Sequence, residues 1–231
     1  METLHNGFTL NTPEGTFPLS TDSMLLSGFV RLPKNAEVLD LGSGCGTLGL
    51  LLCAADPGCR VTGIEIDERS HTAALDNIAR NGLAGRLNSI CTDLRHINDE
   101  FSPGTFHACV SNPPYFSGGP AAKNTAARRE DCCEPGELFR SAAWALRYGG
   151  NFFLVHRPER LAQLCVCAAE NGLEPKRLAL VRHRPGSPVS LILLACRKGA
   201  KPGLIWDELL LHNADGSPTD LYRNLYHLQE A

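Results

Sequence analysis

From Ala36 onward, apolar runs of strand length alternate with helical patterns, which restricts the chain to a mostly parallel sheet covered by helices on both faces. The pattern predicts strands over Glu37–Leu41, Arg60–Ile66, Leu87–Cys91, His107–Ser111 and Asn151–His156. Helices are predicted over Leu48–Ala55, Glu68–Asn81, Glu137–Leu146 and Pro158–Asn171, between or after these five strands. Asn81-Gly82, Tyr148-Gly149-Gly150 and Asn171-Gly172 each follow a helical pattern and are expected to cap it. Arg177–Arg182 and Ser190–Cys196 are β-rich runs joined by Arg184-Pro185-Gly186-Ser187-Pro188, too short for a crossover helix, so an antiparallel pair should close the sheet. A short helix is expected near Thr21–Val30. The expected fold is α/β and doubly wound. One domain suits 231 residues, with an extension at 1–35, a core at 36–200 and a tail at 201–231.

Hydrophobic residues at 43% and charged residues at 20% supply enough apolar surface for a core and exclude intrinsic disorder. Met1–Gly7 has no basic or apolar leader pattern, and no apolar run approaches the roughly 18 residues a membrane span needs. Cytoplasmic residence, no membrane partner and a monomeric state are expected. The ten cysteines fall largely in apolar runs such as Leu51-Leu52-Cys53-Ala54 and Leu164-Cys165-Val166-Cys167-Ala168, which reads as buried free thiols. With no Cys-x-x-Cys and no matching His pair, no metal is expected. The net charge of −3 conceals a split: residues 1–115 carry 7 Lys and Arg against 13 Asp and Glu, and residues 116–231 carry 15 against 12. The stretch Pro175–Trp206 holds Lys176, Arg177, Arg182, Arg184, Arg197, Lys198 and Lys201 and no acid. Such a segment can track phosphates, with Lys198 and Lys201 as candidate contacts, although a solvated strand surface has the same composition.

Asp40-Leu41-Gly42-Ser43-Gly44-Cys45-Gly46 ends a strand in a glycine-rich turn before a helix, where backbone can approach a nucleoside cofactor closely. Gly42, Gly44 and Gly46 would form the cradle. Glu65, at the end of the next strand, is placed to accept hydrogen bonds from ribose hydroxyls. Asp40 would repel a pyrophosphate but suits a sulfonium and an ammonium, which favours S-adenosylmethionine over a nicotinamide dinucleotide. Asp93 could accept from the adenine amine while Leu94 covers the ring; a helix N-cap or a solvated loop charge is the other reading of Asp93. The 1–35 extension is expected to lie over this site.

Cys109-Val110-Ser111 leads directly into Asn112-Pro113-Pro114-Tyr115-Phe116, a polar, rigid and aromatic turn at the carboxyl edge of the fourth parallel strand. A nitrogen conjugated to a π-system is a poor nucleophile. The Asn112 side-chain oxygen and the Pro113 carbonyl can each accept one of its N–H groups, aiming the lone pair at the methyl group. The proton can leave after transfer, so no strong base is needed. Tyr115 offers a face for a flat base, and Pro114 and Phe116 would border the same substrate. In isolation the tetrapeptide also suits a structural turn.

With these residues in view, the chain resembles the bacterial tRNA(Val) adenine-37 N6-methyltransferase family, within the class I S-adenosylmethionine methyltransferases. The likeness covers nearly the whole chain, including Pro18–Leu26, Leu154–Leu161, Gly172–Arg177 and Lys198–Leu204. It implies a Rossmann-like, seven-stranded sheet with an antiparallel last strand, turnover of the cofactor to S-adenosylhomocysteine, and a tRNA anticodon stem-loop as substrate. It also implies that Thr21 and Asp22 lie near the cofactor, and that Lys123, Arg128 and Arg129 belong to a segment that covers or contacts RNA. Relatives often carry Arg-His-Glu where this chain has Arg128-Arg129-Glu130, which leaves the role of Arg129 open.

Protein glutamine N5-methylation is the main alternative, because a carboxamide nitrogen poses the same electronic problem. The acid-free basic stretch favours RNA. A nicotinamide-dependent oxidoreductase would leave Asn112–Tyr115 without a role, and a non-catalytic RNA-binding protein would not need Asn112 or the glycine turn.

Overall fold

The computed structural model describes residues 2–4, 7–113 and 134–226. A two-stranded hairpin, β1 (Glu2–Thr3) with β2 (Thr9–Leu10), precedes helix α1 (Thr21–Phe29). The core then runs β3 (Glu37–Leu41), α2 (Thr47–Ala55), β4 (Arg60–Glu65), α3 (Glu68–Arg80), β5 (Leu87–Cys91), α4 (Ile97–Glu100) and β6 (Phe106–Ser111). It continues through α5 (Pro135–Ala145), β7 (Leu146–His156), α6 (Leu161–Glu170), β8 (Leu173–Arg182) and β9 (Val189–Lys198). Beyond it lie β10 (Ile205–Leu210) and α7 (Asp220–Tyr226).

The strands form one sheet in the order β10-β8-β9-β7-β6-β3-β4-β5. Neighbours from β7 to β5 run parallel, whereas β9 is antiparallel to both β7 and β8. This is the doubly wound, mostly parallel fold the alternation predicts, and its antiparallel strand is the expected one. The strand pattern explains the layering, since side chains alternate between faces. Val38, Val61, Val110 and Val155 pack with α1, α2 and α3 on one side. Leu39, Ile64, Cys109 and Leu154 pack with α5 and α6 on the other. Burial on both faces is why these strands read as continuous apolar runs.

Two expectations change. The resemblance implies seven strands, and the sheet has eight, because Ile205–Leu210 pairs in parallel with Arg177–Arg182 instead of continuing as tail. Ile205 and Trp206 are 67% and 63% exposed and Asp207 and Glu208 are exposed too, so this edge strand carries no apolar alternation to mark it. Tyr148-Gly149-Gly150 also does not cap α5. That helix ends at Leu146 in extended backbone, and the glycines lie in an irregularity of β7 where its pairing with β6 jumps from Leu146 to Asn151. Asn81 and Asn171 do cap their helices, followed by Gly82 and Gly172 at positive φ.

Among the described residues, no helix is long and apolar enough to cross a membrane. The N-terminal segment is fastened by two asparagines of α3. Asn81 exchanges hydrogen bonds with the Thr9 backbone, and the buried Asn77 does so with Asn11. The same Asn77 amide also donates to the Cys45 carbonyl at 3.0 Å, tying that segment to the glycine turn.

Candidate active site

Four parallel strands, β5, β4, β3 and β6, end side by side, and the predicted cofactor residues occupy those ends. Gly42, Gly44 and Gly46 have φ of 76°, 55° and 83°, left-handed values that disfavour side chains. A Cβ on Gly42 or Gly44 would meet nothing within 4 Å, so the turn opens onto space on its outer side. Its inner side is fixed by β4: the Gly42 and Ser43 N–H groups both donate to the Ile64 carbonyl, at 2.9 and 3.0 Å. Gly63 of β4 permits this approach, because a Cβ there would come within 2.5 Å of the Ser43 hydroxyl. A Gly63→Ala protein should therefore lose about 1–3 kcal/mol of stability and bind cofactor about tenfold more weakly. Denaturant midpoints and calorimetric titration would measure both. A titration matching the unsubstituted chain would dissociate Ser43 from the cradle.

Asp40 lies inside the protein, 1% exposed, and among the described residues neither carboxylate oxygen has a hydrogen-bond partner. Burial, and secondarily the charge of Glu65, push its pKa from 3.8 up to about 8. A buried carboxyl without a partner is costly unless a cation meets it. Glu65 is bound at both ends: Oε2 accepts from Gly44 N–H at 2.7 Å and Oε1 from Asp67 N–H at 2.8 Å. Burial raises its pKa, opposed by those backbone donors, and each oxygen keeps a lone pair for a ribose hydroxyl. Asp93 caps the turn at Leu94–His96, accepting from Arg95 N–H at 2.9 Å, and pairs with the Arg95 guanidinium, which holds its carboxyl below the ordinary range. The capping alternative for Asp93 is thus realised. Leu94 packs against the α5 face of the core, and its carbonyl accepts from the Ser141 hydroxyl at 2.9 Å.

β6 delivers Asn112 to the same edge. The buried Ser111 hydroxyl donates to the Leu41 carbonyl at 2.7 Å, locking the start of the Asn112–Pro113 turn to the start of the glycine turn. The Asn112 Nδ2 donates to the Ser23 hydroxyl at 3.0 Å. That bond commits the amide nitrogen to the protein and makes Oδ1 the end that can accept from a substrate. Ser23 is 5% exposed and sits in the first turn of α1, whose N-cap is Ser20. Thr21 and Asp22 share that turn, and the Thr21 hydroxyl lies 2.6 Å from the Tyr226 hydroxyl of α7. Pro113 is described beside Asn112, whereas Pro114, Tyr115, Phe116, Lys123, Arg128 and Arg129 lie outside the described residues.

Two contributors escape a reading of the sequence. Ser23 is one of several serines in Leu19–Ser27, and only the packing of α1 against the end of β6 brings it to Asn112. Ile66, directly after Glu65, is 48% exposed at the strand end, an apolar surface where an adenine ring would lie. Its position after the acid was the available signal.

The basic stretch separates into two ends of the sheet, and Lys198 and Lys201, the candidate phosphate contacts, lie at the end away from Asn112. β9 runs antiparallel to β7, so Lys198 and Lys201 lie at the amino edge, with Asn112 at the carboxyl edge; the ten residues of β9 span about 30 Å. Lys198 Nζ donates to the Ala143 and Leu146 carbonyls at 2.6 and 2.7 Å, capping α5, and the Lys201 carbonyl accepts from Lys176 Nζ at 3.0 Å. Arg177 stacks on Phe29 at 4.2 Å, and Arg182 pairs with Glu208 at 2.6 Å. Much of the positive charge therefore serves the fold.

A family model described as "Methyltransferase small domain" matches residues 19–165, which span α1, the glycine turn, the Asn112–Pro113 turn and the first half of α6. The chain belongs to the methyltransferase small domain family. Among curated proteins it is similar to the tRNA1(Val) (adenine(37)-N6)-methyltransferase of Bacteroides fragilis strain YCH46, 27% identical over 95% of this chain and 94% of that protein. The protein of the same name from Parabacteroides distasonis is 30% identical over 84% of each. The motifs had pointed to the family these relatives are named for. Among solved structures, a predicted O-methyltransferase from Agrobacterium tumefaciens superposes with a TM-score of 0.76 at 20% identity, covering 90% of this chain and 96% of that one, and so shares the fold.

The chain is a methyltransferase, and its site fits S-adenosylmethionine. The glycine turn leaves open space, Glu65 retains acceptors for hydroxyls, and the buried Asp40 carboxyl, without a hydrogen-bond partner among the described residues, would ionise beside a cationic cofactor.

Proposed function

We propose that this chain methylates N6 of adenine 37 in tRNA1(Val), acting as a cytoplasmic monomer with S-adenosylmethionine as donor. The observation that carries the reaction is the Asn112–Ser23 bond beside the glycine turn, which leaves an amide oxygen to receive a conjugated amino group. Resemblance over most of the chain to proteins of that name supports the substrate.

Within this reading the Asn112 Oδ1 accepts one N–H of the adenine amine and the Pro113 carbonyl accepts the other. Two acceptors at one nitrogen favour a pyramidal geometry, which withdraws the lone pair from the ring and directs it toward the glycine turn. S-adenosylmethionine held by the glycine turn, Glu65 and Asp40 would supply an electrophilic methyl, with its thioether as leaving group, to the nitrogen that Asn112 and Pro113 position. The methylated nitrogen then carries positive charge and sheds a proton readily, so Asn112 needs no basicity of its own. Tyr115, Pro114 and Phe116 are assigned to gripping the extruded base, and Lys123 and Arg128 to the RNA strand.

Incubation of bulk tRNA with the chain and isotopically labelled S-adenosylmethionine, followed by mass spectrometry of the nucleosides, should return labelled N6-methyladenosine. Label recovered only in protein would overturn the proposal in favour of glutamine methylation.

A further inference from the structure

Beyond β9 the chain does more than widen the sheet. β10 runs parallel to β8, and β9 is antiparallel to both β8 and β7, so the end of β10 reaches the carboxyl edge that also holds Asn112. Thr219 fastens the start of α7 to that end. Its hydroxyl donates to the Leu210 carbonyl at 2.7 Å and its N–H to the Leu211 carbonyl at 3.0 Å. The same hydroxyl oxygen accepts from the Tyr222 N–H at 3.3 Å and so caps the first turn of α7. From there α7 lies on α1, and Leu225 packs where Gly28 leaves room: a Cβ on Gly28 would stand 3.3 Å from Leu225 Cδ2.

Tyr226, at the end of α7, meets the first residue of α1. Its hydroxyl is hydrogen-bonded to the Thr21 hydroxyl at 2.6 Å. A stack of rings aims it there, with Tyr226 on Tyr222 at a centroid distance of 4.7 Å and Tyr222 on His212 at 4.9 Å. Two residues after Thr21, the Ser23 hydroxyl accepts from Asn112 Nδ2 at 3.0 Å. The first turn of a helix lacks intrahelical partners for its N–H groups and frays readily. In α1 the cap contact from Ser23 N–H to the Ser20 hydroxyl is 3.3 Å long, beyond the usual range for such a bond. A second fastening of that turn therefore bears directly on where Ser23 stands.

Resting on the proposed adenine methylation, we propose that Tyr226 is a positioning residue for the reaction. Through Thr21 it holds the first turn of α1, and through Ser23 it keeps the Asn112 amide oxygen aimed at the substrate nitrogen. The matched family model ends at residue 165, so this contribution comes from a part of the chain outside it. It is made by a hydroxyl in contact with neither substrate nor cofactor.

The test uses the full chain, bulk tRNA and saturating S-adenosylmethionine. Tyr226→Phe keeps the ring stack and removes only the hydroxyl. It should lower kcat about fivefold, the scale of one neutral hydrogen bond, with KM for tRNA and the calorimetric Kd for S-adenosylmethionine within about twofold. Thr21→Val should lose as much, and Thr21→Ser, which keeps a hydroxyl, should recover most of that loss. In an Asn112→Ala background Tyr226→Phe should cost almost nothing further, because its effect runs through that side chain. A second readout needs no turnover. In a nitrogen–proton NMR spectrum the Asn112 side-chain amide pair, assigned by its absence from Asn112→Ala, should shift in Tyr226→Phe as it does in Ser23→Ala. A weaker Kd for S-adenosylmethionine with kcat unchanged would put the Thr21–Tyr226 pair in the service of the cofactor and overturn the assignment. Unchanged kcat together with unmoved Asn112 amide signals would reduce the bond to packing and overturn it as well, leaving adenine methylation standing. If the unsubstituted chain methylates no RNA, the proposed function falls, and the amide signals by themselves decide whether Tyr226 positions Asn112.

Discussion

Asn112→Ala should lower turnover on tRNA about 100- to 1000-fold, the scale on which loss of one positioned polar group slows an enzyme, while leaving the Kd of S-adenosylmethionine within about twofold. Alanine removes the oxygen that receives the substrate amine and leaves Pro113, with its carbonyl, in the chain. Ser23 gives this prediction a second arm, because its hydroxyl accepts from Asn112 Nδ2 at 3.0 Å and is itself inside the protein. Ser23→Ala should reduce kcat about tenfold by letting the amide rotate, Ser23→Thr should restore most of it, and the double variant should be little slower than Asn112→Ala alone. Single-turnover kinetics with saturating cofactor would show this. Full turnover by Asn112→Ala would remove the residue from the reaction, and strictly multiplicative losses in the double variant would show that Ser23 acts elsewhere.

Asp40 sets the second large effect. Its carboxyl titrates near 8 in the folded protein against 3.8 without the fold, so the native state holds the proton more tightly. The stability this contributes is complete below about 4, falls as pH rises through the window up to about 8, and is lost above it. Asp40→Asn never ionises, so its unfolding free energy should fall less over that window than that of the unsubstituted chain. Cofactor binding follows the opposite course. A cation beside Asp40 favours the carboxylate, binding therefore releases a proton, and affinity should rise by up to about tenfold per pH unit until it levels near pH 8. In Asp40→Asn that dependence should vanish, with affinity at pH 8 reduced about 30-fold or more. Titration calorimetry in buffers of different ionisation enthalpy counts the released proton directly, and a pH-independent affinity in the unsubstituted chain would refute the assignment.

The sheet strands that read most clearly are those whose two faces are both covered. β3 and β5 begin and end where the apolar pattern places them, and β4 and β6 differ by a single residue. β10 was illegible because one side of it is open to solvent and its partner contact is made by backbone. That strand also changes the meaning of the charge pattern. The acid-free stretch stops at Trp206, but Glu208 lies across from it in the folded sheet and pairs with Arg182. One-signed charge along a sequence is therefore no measure of one-signed charge on a surface.

The glycine turn, Asp40, Glu65 and Asn112 were legible for a common reason: each stands at the end of a strand, and in a parallel sheet the strand ends converge on one edge whatever the details of packing. Sequence alone thus determined the fold class and the gathering of these residues at one edge of the sheet. Tertiary structure decided which side chains meet. It placed Ser23 of α1 on Asn112, brought Tyr226 of α7 to Thr21, and carried Lys198 to the far end of β9, where it caps α5. Periodicity records the local rule that a strand or helix obeys, but the direction of β9 and the docking of α1 arise from contacts between residues far apart in the chain, and no local pattern encodes them.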